Sequence, residues 1–256
     1  MLDLSAFTGP ACFGPAYQIM YENATHARGS VDRMLVERMV QVCPETLEFL
    51  YGTPPSSPAG SYGTIGRPQL ESMAKSRCRA SNGPADLVER VAGLTSGIAR
   101  KHVFDLGTAV FGGFEEDILA RGSDWCADLA RVACSLYQLR GLPARLVFTA
   151  DTRKAYTGHV LVEAWYDDAW GVVDATDGTL HRVGGRPVSV WDLLRKPPVS
   201  REFTVAAIAS YDIAGWREYD YSTSGVNSYY RSVLQMSIQG WPGGLRWLFG
   251  EASGSV

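Results

Sequence analysis

The sequence predicts an α+β fold in which a cysteine-bearing helix packs on an antiparallel sheet, with further helices around it. Three observations within residues 123–177 carry this. Apolar residues recur at three- and four-residue steps from Leu129 to Leu139 and stop at Gly141. Two runs rich in β-branched and aromatic residues follow, HVLVEAWY and AWGVVDAT. Asp167-Asp168 separates them and reads as a tight turn.

In chain order, the first twenty residues are modestly apolar, carry Asp3, lack a basic leader and are interrupted by Gly and Pro, so neither a signal peptide nor a membrane span is expected. Asn23-Ala24-Thr25 fits a glycosylation acceptor, which is idle without secretion, and His26 falls in a polar turn. Ser30 to Val42 reads as a helix, with Val31, Leu35, Met39 and Val42 on one stripe. Pro44 can open a second short helix, PETLEFLYG. Residues 53–68 are rich in Pro, Gly and Ser and form a loop, read as a surface excursion in preference to a lid. Pro84 starts an amphipathic helix with Leu87, Val91, Leu94 and Ile98 inward, and His102 stands near its end, where it favours the helix dipole. Glu115, Glu116 and Asp117 form an acidic run expected to be solvated.

The cysteine helix follows. Ser123 or Asp124 is expected to cap its N-terminus. Leu129, Val132, Ala133, Leu136 and Leu139 form its buried face, and Cys134 reads as core. Gly141 suits the position after the last turn. Cys126 therefore falls in the first turn, where the helix dipole and unpaired N–H groups favour a thiolate and can hold an oxyanion. Arg145 to Ala150 is a strand, and residues 150–158 are a polar connection. His159, Leu161, Glu163 and Trp165 share one face of the next strand; Val160, Val162, Ala164 and Tyr166 share the other. Trp170, Val172 and Asp174 share a face of the third. A tight hairpin sets the start of one strand level with the end of the next, so His159 and Asp174 are expected to be neighbours. Taken singly, each of these residues has an ordinary structural reading; together, Cys126, His159 and Asp174 have the makings of a nucleophile, its base and the group that orients the base.

Beyond these strands, residues 181–189 read as a loop and Val190 to Arg195 as a short helix, and EFTVAAIASYDI is strand-like. The rest is dense in aromatics, with Trp216, Tyr219, Tyr221, Tyr229, Tyr230, Trp241 and Trp247, and a helix over 226–238. Packing on the core is the first reading of this segment, and a cleft that stacks a flat or sugar-like substrate is the alternative.

The SDWCADLARVACSLYQLRGLPARLVF stretch followed by GHVLVEAWYDDAWGVVDAT resembles the core of the transglutaminase-like superfamily, with its helix-borne cysteine, then histidine, then aspartate. The resemblance implies a papain-like core spanning about residues 84–180. Around it, residues 1–83 form a helical elaboration and 181–256 an aromatic-rich extension of a single domain. It implies Cys126 as nucleophile, His159 as base and Asp174 as orienting group. It leaves the reaction open: hydrolysis of an amide or peptide-like bond is favoured, ahead of acyl transfer to an amine and of a non-catalytic binding module. The implied partner is an amide, peptide or thioester substrate. Two departures stand out. The cross-linking members carry flanking β-sandwich domains, for which this chain lacks the length, and an oxyanion-stabilising tryptophan upstream of the cysteine, whereas no tryptophan precedes Trp125 here.

Composition narrows the classes further. At 46% apolar residues the chain can bury a sizeable core, and a net charge of −3 gives no reason to expect nucleic acid or an anionic membrane as partner. The five cysteines, Cys12, Cys43, Cys78, Cys126 and Cys134, are odd in number and scattered, as expected of reduced thiols in a cytoplasmic protein. They include no Cys-x-x-Cys pair, so the zinc site of eukaryotic peptide N-glycanases is not expected, and no metal, nucleotide or organic cofactor is implied.

Overall fold

The computed structural model describes residues 2–9, 35, 37–52, 54, 67–78, 82–100, 112–150, 158–195 and 203–211. Cys12, His26, His102, most of the 53–68 loop, the 226–238 helix and the aromatic segment from Trp216 to Trp247 lie outside the described residues.

A 3-10 turn at Ser5–Phe7 precedes the first described strand, β1 (Met39–Gln41). A 3-10 turn at Pro44–Thr46 leads into α1 (Leu47–Tyr51). The helices α2 (Pro68–Arg77), α3 (Pro84–Ile98), α4 (Glu115–Arg121) and α5 (Cys126–Leu139) follow. Then come β2 (Ala144–Ala150), β3 (His159–Tyr166), β4 (Ala169–Asp174) and β5 (Thr179–Leu180). A small hairpin, β6 (Arg182–Val183) and β7 (Arg186–Pro187), precedes α6 (Val190–Arg195) and β8 (Val205–Ala209). The main sheet has the order β1-β8-β2-β3-β4-β5, and each neighbouring pair is antiparallel.

Alternation along the strands builds two apolar layers, one on each face of the sheet. Val162, Ala164, Tyr166, Leu146, Phe148 and Val173 are buried in one cluster with Leu129, Val132, Ala133 and Leu136 of α5 and Val88 and Val91 of α3. Val147, Leu161, Val172 and Ile208 are buried on the other face with Leu50 and Val190, against Tyr51 and Trp191. The division of β3 into two faces agrees with the sequence reading.

Helix α5 departs from it. Its polar side is inside as well: Asp128, Arg131, Ser135 and Gln138 are all buried. Buried polar groups need partners; Asp128, Arg131 and Gln138 find them in neighbouring segments, whereas Ser135 Oγ has none among the described residues. Gln138 Nε2 donates to the Ala144 carbonyl at 2.9 Å and to the Tyr211 carbonyl. Its C-terminus closes as a Schellman motif: Leu142 N–H donates to Tyr137 O and Gly141 N–H to Gln138 O, both at 2.9 Å, with Gly141 at φ +84° as expected.

Several expectations are corrected. The latter part of the Ser30–Val42 helix is β1 instead, where the ladder of β8 takes Met39, Val40 and Gln41 into the sheet. No side chain caps α5: Trp125 holds the N-cap position, and Ser123 Oγ accepts from Trp125 N–H, just ahead of the helix. The 181–189 loop contains the β6–β7 hairpin, turned by Gly184-Gly185 at φ +59° and +80°. On α3, the stripe is Leu87, Val88, Val91, Ala92 and Thr95; Leu94 and Ile98 are only partly buried. The acidic run is solvated only in part: Asp117 is exposed. Glu115 is fully buried and Glu116 is paired, because Arg67 donates to both, at 2.6 Å to Glu115 Oε2. Tyr211 Oη also donates to Glu115, at 2.5 Å, and Arg131 lies 3.7 Å from it.

The segment entering α5 docks on the end of α3. Ser123 N–H donates to Ile98 O at 3.3 Å and Arg100 N–H donates to Ser123 O at 2.9 Å. Gly122 makes this approach possible, since a Cβ there would stand 2.5 Å from Ile98 O, and its φ is +81°. Gly122→Ala is therefore expected to cost about 1–3 kcal/mol of stability, from the strained conformation alone. A urea midpoint equal to that of the parent protein would count against this docking.

Candidate active site

Each of the three predicted residues sits where an element ends. Cys126 is the first residue of α5. A first-turn position leaves its N–H without an intrahelical acceptor and places the sulfur at the positive end of the helix dipole. The residue is half-buried. His159 opens β3, paired with Thr149 of β2, whose hydroxyl donates to the His159 carbonyl at 2.8 Å. Asp174 closes β4.

The turn at Asp167-Asp168 sets the relation between the last two. Both residues have positive φ, +51° and +59°, as a type I′ turn requires. The resulting register pairs Trp165 with Trp170 and Val162 with Val173. Continued to the strand ends, it sets Asp174 opposite Leu161 and diagonal to His159, on one face, within side-chain reach. The His159 Nε2 to Asp174 Oδ2 distance is 2.7 Å. Thr176 N–H donates to the other carboxylate oxygen at 2.9 Å, so Asp174 is held at both oxygens. Nε2 being engaged, Nδ1 is the ring nitrogen left for the sulfur of Cys126, which lies close enough to His159 for each to shift the other's titration. The structure thus hydrogen-bonds His159 to Asp174 and sets Cys126 beside His159.

The charges follow from this arrangement. Burial alone would raise the Cys126 thiol; the positive imidazole beside it and their hydrogen bond outweigh that and hold it below its usual value. Burial alone would lower the His159 imidazole; the adjacent thiolate and Asp174 push it up to about 9. Burial would raise the Asp174 carboxyl, but the hydrogen bond and charge of His159 and the Thr176 N–H keep it low. Both shifts favour the thiolate–imidazolium form over the neutral pair. The other buried thiol with a shift, Cys78, moves the opposite way, raised by burial. Limited iodoacetamide at mildly acidic pH is accordingly expected to label Cys126 before Cys12, Cys43, Cys78 or Cys134, as peptide mapping would read. Faster labelling of any other thiol would remove the assignment. Cys43, Cys78, Cys126 and Cys134 are free thiols.

Two neighbours were not legible in the sequence. Phe203 stacks on the His159 ring, with centroids 6.5 Å apart and planes 12° from parallel, from a segment 44 residues downstream. Ser123 Oγ donates to Asp128 Oδ2 at 2.7 Å and links the turn before Cys126 to the buried side of its own helix. His181 is half-buried, and burial lowers its imidazole despite the charges of Asp174 and Asp177. Among the described residues, no three His, Cys, Asp or Glu side chains group as metal ligands, and no helix is long and apolar enough to cross a membrane.

No curated protein matches the chain. Two solved structures resemble part of it. A Cytophaga hutchinsonii protein assigned as a cysteine protease is 18% identical, over 53% of this chain and 43% of that one, with a TM-score of 0.34. A TGase is 19% identical, over 49% of this chain and 34% of that one, with a TM-score of 0.27. The chain thus covers less than half the length of either. Residues 114–175, which span α4 to β4 and include Cys126, His159 and Asp174, match the family model of the transglutaminase-like superfamily, so this helix-and-sheet unit is similar to that family.

Proposed function

We propose that the protein is a cysteine-dependent acyl-transfer enzyme, with Cys126 as nucleophile, His159 as acid and base, and Asp174 as the group that orients His159. The observation that carries this reading is the His159–Asp174 pair, with Nε2 2.7 Å from the carboxylate, set beside Cys126 at the start of α5. The thiolate attacks an amide or thioester carbonyl carbon, and the carbonyl electrons move onto oxygen. As that oxyanion collapses, the bond to nitrogen or sulfur breaks and the imidazolium gives its proton to the leaving group. A thioester now joins the acyl group to Cys126. His159 next takes a proton from water or an amine as it attacks, and the thiolate is released. The Cys126 N–H, unpaired at the helix start, is suited to receive the oxyanion.

Water is the proposed acceptor, and an amide or peptide-like bond the proposed donor. Cys126 keeps part of its surface exposed, so solvent reaches the thioester. The tryptophan that the cross-linking enzymes place upstream of their cysteine has no counterpart here. The test is partitioning. A reactive acyl donor is supplied with rising concentrations of varied amines, and free acid is measured against amide product. Predominant acid is expected throughout. Predominant amide at modest amine concentration would reject the hydrolase in favour of an acyltransferase. No acyl-enzyme from amide, ester or thioester libraries would leave a binding module.

A further inference from the structure

Ser123 is fully buried and every polar group it carries has a role at the entrance to α5. Its N–H and carbonyl bind the chain to Ile98 and Arg100. Its hydroxyl accepts from Trp125 N–H at 3.1 Å and donates to Asp128 Oδ2 at 2.7 Å. Asp128 is buried too, and its position is fixed from outside the helix start: Gly112 N–H donates to Oδ2 at 2.5 Å, and Arg131 lies 3.3 Å from Oδ1. Arg131 in turn donates to Gly113 O at 2.9 Å. The hydroxyl therefore stands between an anchored carboxylate and the Asp124–Trp125 peptide, one before the peptide that bears the Cys126 N–H.

That peptide matters because α5 has no side-chain cap. The N–H of Trp125 sets the turn whose next peptide bears the Cys126 N–H. We infer that Ser123, held by Asp128, is a positioning residue that aims the Cys126 N–H at the developing oxyanion, without contributing to the activation of the thiol. The inference rests on the acyl-transfer reading above. Its logic separates two kinds of chemistry at one sulfur. Displacement of iodide from iodoacetamide is attack at a saturated carbon: sulfur gains the carbon, iodide leaves with its electron pair, and no oxyanion forms. Attack on p-nitrophenyl acetate adds sulfur to a carbonyl, so negative charge develops on oxygen before nitrophenolate departs. A residue that aims an oxyanion donor affects the second reaction alone. One that supports the fold or the thiolate affects both.

The experiment compares the two rates at Cys126 in the full chain, for the parent protein and for Ser123→Ala, by intact mass and nitrophenolate release. Loss of an oxyanion donor costs roughly 10²–10³ in rate, and a misaimed donor retains part of this, so acylation is expected to fall by about tenfold or more. Alkylation, and its pH profile, is expected to stay within about twofold, because the contacts of His159 and Asp174 do not pass through Ser123. Ser123→Thr, which keeps a hydroxyl, is expected to retain more acylation than the alanine variant. If Ser123→Ala is not recovered folded, Asp128→Asn weakens the same acceptor and is read by the same split. Equal falls in both rates, or no fall in acylation, would overturn the inference and leave the acyl-transfer reading in place. Failure of the parent protein to be acylated at Cys126 would overturn both.

Discussion

Replacing His159 with alanine is expected to abolish acyl-enzyme formation at Cys126, while Asp174→Asn leaves a small residue of activity. The asymmetry follows from what each group does. His159 both stabilises the thiolate and carries the proton, so its loss returns Cys126 to a buried thiol whose pKa burial raises. Asp174 acts through His159: without its charge the imidazole remains beside the sulfur but loses its fixed orientation. Removing the carboxylate of such a triad has cost about 10⁴-fold in serine proteases, with geometry intact. The pH profile adds a second reading. Acyl transfer from an amide needs the thiolate and the imidazolium together, so the rate rises as the lowered thiol deprotonates and falls as His159 loses its proton at about 9. In Asp174→Asn the alkaline fall is expected at lower pH, because the carboxylate no longer holds the imidazolium. Single-turnover acylation of both variants across pH checks this, and equal, mild losses in the two with the fold intact would count against the triad.

The largest effect on stability is expected at Glu115. Its carboxylate is fully buried, accepts from Tyr211 and Arg67, and lies within 4 Å of Arg131. Deleting one partner of a buried ionic cluster strands the others, at a cost of about 3–5 kcal/mol. Glu115→Ala leaves Arg131 without that carboxylate and Tyr211 Oη without its acceptor. The exposed pair of Glu89 and Arg182, 3.0 Å apart, supplies the contrast: Glu89→Ala is expected to cost less than about 1 kcal/mol. Urea denaturation of the two variants compares them directly. The pH dependence carries a sign as well. Burial raises the Glu115 carboxyl, but Arg131, Arg67 and Tyr211 overcome this and set it below the ordinary 4.5. Its contribution to stability is complete above that ordinary value and disappears as pH falls through the folded one. The parent protein is thus expected to lose more stability on acidification than Glu115→Ala does.

The two halves of these predictions were not equally legible. The helix start at Cys126 follows from apolar spacing and Gly141, and the approach of His159 to Asp174 follows from strand alternation and a two-residue turn. Both are short-range patterns, so local residues determine them. Glu115 looked like part of a solvated acidic run because its neighbours in sequence are acidic, while its partners Arg67, Arg131 and Tyr211 come from three other segments. β1 was hidden for the same reason. Three residues carry little strand signal, and the partner that makes them a strand is β8, from Val205 to Ala209. The β6–β7 hairpin, by contrast, did carry a signal: Gly184-Gly185 is a turn dipeptide between short runs able to pair.

The strand order also has a consequence for biosynthesis. β2, β3, β4 and β5 pair in the order in which they are made, each with the one before it, so the hairpin that holds His159 against Asp174 needs nothing downstream of residue 180. β1 is different. It is translated before any of them and Thr8 bridges it at Val40, yet among the described strands the one it pairs with is β8, which arrives more than 160 residues later. Because ribosomes add roughly 5–20 residues per second, the edge of β1 that pairs with β8 stays open for on the order of ten seconds or more on each nascent chain. Until Ala209 has emerged, β2 also shows an open edge beside the growing reactive centre. Nascent chains arrested before and after that point would differ in protease resistance at β1 and β2, with β3 and β4 protected in both.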